Sequence, residues 1–135
     1  MTPTDKERLF AKFNGNPPAS AASIEQFESK ANLLLPKDYA GFLQQADGGE
    51  GFFGSAYVIL WSTDELLEMN RAYQVTEYAP GLFLFGSDGV GEAFAFDTRI
   101  ASQAIVSVPF VGMELKAARP IASSFIAFLE KLLNS

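Results

Sequence analysis

The chain has 135 residues, a net charge of -6, and neither histidine nor cysteine. Their absence excludes a Ser-His-Asp triad, an imidazole base or ligand, a thiolate nucleophile, disulfides and cysteine-held zinc. The acidic balance argues against nucleic acid and anionic membrane surfaces as partners, and no apolar run approaches the roughly 20 residues of a membrane span.

A hydrophobic content of 48% suits one globular domain with a substantial core. The N-terminal MTPTDKERLFAKF has no signal-peptide apolar stretch, so the cytoplasm is the expected compartment. A short helix there precedes Asn14-Gly15-Asn16-Pro17-Pro18-Ala19, which reads as a loop. Residues 1–22 are thus an N-terminal helix and loop, and 23–135 the main body. Ser23-Ile24-Glu25-Gln26 fits a capping box, opening a helix with Ile24, Phe27, Ala31 and Leu34 on one stripe. Pro36 starts the next helix, whose Tyr39, Phe42, Leu43 and Ala46 face inward until Asp47-Gly48-Gly49 ends it.

Ser55 to Trp61 is short, β-branched and aromatic, and reads as a mostly buried strand that ends on a core Trp61. Ser62-Thr63-Asp64-Glu65 is a capping box for a helix reaching about Tyr73, with Asn70 beside its apolar stripe. A buried amide must be paired, so Asn70 is expected to bond strand or loop backbone. Leu82–Phe85 and Glu92–Asp97 flank a glycine-rich turn and form a hairpin, with Phe94 and Phe96 on one face. Ala104 to Phe110 is a strand whose Pro109 places its end at an edge, and Met113 to Ala118 is one more candidate strand. Ser123 caps a last helix that buries Phe125, Phe128, Leu129 and Leu132. Strands cluster centrally and helices toward the ends. The fold class is α+β, a single domain with a curved, antiparallel-rich sheet flanked by helices on one side.

Charge is unevenly placed. Ten acids and one base, Arg71, lie between Asp38 and Asp97, a net of -9, while the flanks carry +3. The stretch is either a solvated surface or a negative face that steers a basic partner. Gly86-Ser87-Asp88-Gly89-Val90-Gly91 matches neither phosphate-loop pattern, no Lys follows, and Glu92 and Asp97 would repel phosphate. Asp47, Glu50, Asp88, Glu92 and Asp97 admit a paired-carboxylate or hard-metal site, but their spacing is not that of an EF-hand, and turn chemistry explains Asp47 and Asp88. No cofactor or metal is expected. Phe52 and Phe53 fall in a loop after Gly49-Glu50-Gly51 where no period explains them; one tucks inward and the other is a candidate exposed anchor.

Leu35-Pro36-Lys37-Asp38-Tyr39, Phe42-Leu43 and Asp47-Gly48-Gly49-Glu50-Gly51 resemble the opening signature of the SUKH superfamily. Leu60-Trp61, Glu65-Leu66 and Asn70 continue it. Leu84 to Asp97, with Gly86, Gly89, Gly91, Phe94, Phe96 and Asp97, is similar to its glycine-rich block, and Ser123-Ser124-Phe125 to its closing helix. The resemblance covers roughly residues 23 to 132. It implies a curved antiparallel sheet with flanking helices and a non-catalytic, protein-binding role. In bacteria the resemblance points to an immunity protein that masks a toxin domain, often a nuclease. It supplies no catalytic residues. The expected partner is then a basic toxin domain, met by Asp47, Glu50, Phe52, Phe53, Asp88 and Glu92. A scaffold protein of the same fold, and more distantly a carboxylate enzyme acting on carbohydrate, are the other readings.

Overall fold

A computed structural model describes residues 3–135; Met1 and Thr2 lie outside the described residues. Seven strands form one antiparallel sheet in the order of the chain: β1 (Lys12–Gly15), β2 (Gly49–Phe53), β3 (Ala56–Leu60), β4 (Leu82–Ser87), β5 (Glu92–Asp97), β6 (Ile105–Pro109) and β7 (Arg119–Ala122). The helices are α1 (Pro3–Phe10), α2 (Ala21–Ala31), α3 (Lys37–Leu43), α4 (Thr63–Ala72), α5 (Val75–Tyr78) and α6 (Phe125–Leu133). The fold is α+β and the sheet is open, as the order of elements predicts. No helix among the described residues is long and apolar enough to cross a membrane.

Alternation along the strands builds the core. Phe85, Phe94 and Phe96 point to the side where α3 brings Tyr39 and Phe42, and α6 brings Phe125 and Phe128. Tyr39 lies among Phe85, Phe96 and Phe125, with ring centroids 4.9–5.7 Å apart. Such tilted contacts add about 0.5–1.5 kcal/mol per pair beyond the area buried. The N-terminal helix packs on this layer: Leu9 is buried and Phe10 stacks on Phe42 at 6.0 Å.

Six local readings shift. Asn14 and Gly15 are strand, not loop: β1 pairs with β2 from Lys12↔Phe52 to Gly15↔Gly49. Glycine at 49 and 51 lets these two backbones approach, a signal that mimics a loop in sequence. Likewise Phe52 and Phe53 end β2, where alternation leaves Phe52 out and Phe53 fully buried. The N-cap of α2 is Ser20, whose Oγ accepts from the Ser23 N–H at 3.0 Å; that of α6 is Ser124, which serves Ala127 at 3.1 Å. Pro36 is the N-cap residue of α3 and Lys37 its first helical residue. Met113 to Ala118 contains a 3-10 turn, Leu115–Ala117, and the last strand is the following Arg119–Ala122. Pro109 does sit at a local edge: its register partner is Glu92 on β5, while β7 pairs β6 only from Ile105 to Ser107.

β3 and β4 touch at two register pairs, Ile59↔Ser87 and Leu60↔Gly86, and then splay apart. In the gap Asn70 of α4 takes the place of a strand. Its Nδ2 donates to the carbonyls of Leu66 (2.8 Å) and Leu84 (2.9 Å), and its Oδ1 accepts from the Leu84 N–H (2.9 Å). The expected buried amide is thus paired with β4 backbone.

The Tyr39 hydroxyl is buried and makes no hydrogen bond. Burial, and then the negative charge of Asp47, raise its pKa well above the ordinary tyrosine value. The folded state therefore holds this proton where the unfolded chain releases it, so stability falls as pH rises above about 10. Tyr39→Phe is expected to leave stability at neutral pH unchanged, or raise it by up to about 1 kcal/mol, and to remove part of the alkaline loss. Urea midpoints at pH 7 and pH 11 check both; a loss above 1 kcal/mol at pH 7 means the hydroxyl has a partner.

Candidate functional site

The acids of the central stretch do not form one field. Asp38 accepts from the Tyr39 N–H (2.9 Å) and, across the core, from the Ile126 N–H at the start of α6 (3.0 Å). Asp47 receives the Thr63 N–H (2.8 Å) and hydroxyl (3.0 Å), tying the end of α3 to the start of α4. Glu65 reaches back to the Ser62 N–H at 3.1 Å and completes the capping box. Carboxylates at helix N-termini satisfy orphan amides and oppose the helix dipole. Asp88 accepts from the Val90 (2.8 Å) and Glu92 (3.1 Å) amides, which closes the β4–β5 turn. Glu92 pairs with Arg119 at 3.2 Å.

Asp97 is buried at the end of β5 and held by Arg99. The Arg99 Nε and Nη2 donate to its two oxygens at 2.9 Å each, and the Arg99 N–H adds a third bond at 3.1 Å. The guanidinium hydrogen bonds keep the carboxyl below the usual aspartate range against the opposing effect of burial; the backbone bond and the charge of Arg99 add to them. A depressed folded pKa stabilises the protein above the unfolded value of about 4, and that contribution is lost as pH falls through the folded pKa. Asp97→Asn is expected to cost about 1–3 kcal/mol at pH 7 and less at pH 2. Urea titrations at the two pH values read the difference; equal losses at both reject the assignment.

The face of β1, β2 and β3 opposite the phenylalanine core carries exposed aromatic and charged side chains together. Two cross-strand rows line it: Lys12, Phe52 and Tyr57, then Asn14, Glu50 and Ile59. Phe52 is 44% exposed and Tyr57 37%, and their rings meet edge to face at 5.2 Å. The Tyr57 hydroxyl donates to the Glu50 carboxylate. Glycine at 89 brings the β4–β5 turn to the same rings: a Cβ there would stand 3.5 Å from Tyr57 and 3.6 Å from Ile59. Val90 beside it is 85% exposed.

Of the residues expected to meet a partner, Glu50 and Phe52 therefore share one accessible face, and Asp88 with Glu92 frames the adjoining turn. Phe53 is withdrawn from that set, because it is core packed on Phe13 at 4.5 Å. Asp47 is half-buried and committed to Thr63. Tyr57 and Lys12 are the residues sequence reading missed. Period-2 spacing across Glu50, Phe52, Tyr57 and Ile59, around a two-residue turn at Gly54-Ser55, is the signal that finds Tyr57, while Lys12 is placed only by the β1–β2 pairing. The supporting positions are structural: Gly48 has φ +76 and lies against Leu60 and Trp61, while Trp61 is buried and contacts Phe110. Gly86 has room for no Cβ beside Ile59, and Gly91 carries φ +113 in the turn.

A cleft of about 460 Å³ between α2 and α4 is lined by Ser20, Gln26, Lys30, Asp47 and Asp64 among others. Among the described residues no three acidic side chains converge to hold a metal ion.

The pattern of the SMI1/KNR4 family (SUKH-1) matches residues 18–131, most of the chain, from the loop before α2 into α6. The chain belongs to that family. In this SUKH-1 protein the matched range includes Glu50, Phe52, Tyr57 and the β4–β5 turn, while β1 with Lys12 precedes it. A comparison with curated proteins gives no match.

Proposed function

We propose that this SUKH-1 chain is a non-catalytic protein-binding module, and specifically an immunity protein that covers the working surface of a cognate toxin domain. The observation that carries the reading is the aromatic pair Phe52–Tyr57, left in solvent on a rigid sheet beside Glu50. Exposed aromatic anchors on fixed secondary structure are what dominate protein interfaces. Family membership and the net charge of -6 support it. A nuclease toxin fits best as target, since its groove must be basic to hold phosphate. Glu50, Asp64, Glu68 and Glu77 are the acids of the central stretch that are exposed and make no ion pair with any described residue, apart from Glu65, which is used in its cap. The module would act in the cytoplasm, where it meets the toxin before the toxin meets its substrate.

The test is to express the product of the neighbouring gene alone, to score its toxicity, and then to co-express it with this chain. Wild-type chain is expected to restore growth and to co-purify with the toxin, with association slowing as salt rises. Persistent toxicity together with no complex in a pull-down rejects the immunity reading.

A further inference from the structure

Glu50 is prepared for a cation that the chain itself does not supply. Its carboxylate is oriented by the Tyr57 hydroxyl and lies on the same exposed face as the Phe52–Tyr57 pair. Lys12 shares the face, yet it stands in the neighbouring row, opposite Phe52, and makes no ion pair with Glu50. An uncompensated carboxylate beside two ring surfaces favours one ligand chemistry: a cation at the end of an apolar stem. The rings attract the charge through their quadrupoles and cover the methylenes, and the carboxylate takes the guanidinium or ammonium hydrogens. A carboxylate or phosphate group would meet repulsion from Glu50 instead.

We infer that the β1–β3 face seats an arginine or lysine side chain of the partner, stacked on Phe52 and Tyr57 with its charge against Glu50. This deepens the binding reading above and rests on it for the identity of the partner, though the seat itself can be tested without one. Arginine satisfies the arrangement more fully than lysine, because its planar fork stacks on a ring while donating to a carboxylate. Lys12 stands in the row of the two rings, beside Phe52, and its charge leaves the Tyr57 end of that row as the side from which the basic residue enters.

Two measurements separate the seat from the function. In the first, the isolated chain is titrated by NMR with N-acetyl-arginine methylamide and with its uncharged citrulline counterpart. Resonances of Glu50, Phe52 and Tyr57 are expected to shift more with arginine, and the excess is expected to vanish in Glu50→Gln, which keeps an acceptor for the Tyr57 hydroxyl. Equal shifts with both ligands, or shifts confined to other faces, overturn the seat. In the second, affinity for the cognate toxin is measured: Phe52→Ala and Glu50→Gln should each weaken it by about tenfold or more, with Glu25→Gln on α2 unchanged. Tight toxin binding that ignores both substitutions overturns the seat and leaves the immunity reading intact. An arginine response without any toxin complex does the reverse.

Discussion

Gly51→Ala is expected to be among the most damaging single substitutions in this protein. Gly51 has φ +145 and its partner in the register is Phe13. A Cβ there would stand 2.4 Å from the Lys12 carbonyl oxygen and 2.8 Å from the Phe13 Cα. Both obstacles are backbone, so neither can swing aside, and the conformation is one that L side chains rarely adopt. Relief requires β1 to leave β2, which exposes Phe13 and breaks its contact with Phe53. The expected loss is about 2–4 kcal/mol, the strain of the positive φ together with the undocking of β1. Gly91→Ala is the control. Gly91 also has a positive φ, +113, but nothing lies within 4 Å of its Cβ position. Backbone strain alone, about 1–2 kcal/mol, is then the whole cost. Urea midpoints of the two variants separate the effects, and equal midpoints would show that β1 does not constrain Gly51.

The second large effect is expected at Asn70. Asn70→Ala removes three hydrogen bonds at once and leaves the N–H and C=O of Leu84 without the partner that β3 fails to provide. Each unsatisfied buried group costs about 1–3 kcal/mol, so a total near 2–4 kcal/mol is expected after relaxation. Asn70→Asp discriminates a hydrogen-bond role from simple packing. It matches the amide in size, still accepts from the Leu84 N–H, and sets a negative charge against two carbonyls. Destabilisation comparable to alanine supports pairing; recovery toward wild type would mean that volume is what the site needs.

These two positions also show how much could be read in advance. Asn70 was legible because a polar side chain next to an apolar helical stripe has few options once buried. The hairpin around Gly86–Gly91 and the four main helices were legible because periods and turns there agree with one another, although the caps of α2 and α6 are Ser20 and Ser124 rather than Ser23 and Ser123. β1 and β2 were not. Gly15, Gly49 and Gly51 carry the composition of a loop, and their strand role depends on a pairing between segments far apart in sequence. The missed β1–β2 pairing hid Lys12, and reading Phe52 as loop hid Tyr57, which the β2–β3 register Phe52↔Tyr57 brings to the exposed face. The acidic stretch failed for another reason. Charge can be counted along a chain, but Asp38 and Asp47 act on amides 88 and 16 residues away, and no local pattern reveals such a cap.

The meander order of the sheet has a kinetic consequence. Every neighbour in it is also the next strand in sequence, so most pairings close short loops and form quickly. β1 has the longest connection, residues 16–48 with α2 and α3 before β2, ahead of residues 61–81 with α4 and α5 between β3 and β4. Closing that loop costs about 2 kcal/mol more than closing a two-residue hairpin, and the reward is only a four-residue edge strand. β1 is therefore expected to dock last in folding and to open first in the native state, giving Lys12–Gly15 the fastest-exchanging amides of any strand. β1 is synthesised before β2 and waits for it, and the face bearing Phe52 is complete only when the two have paired.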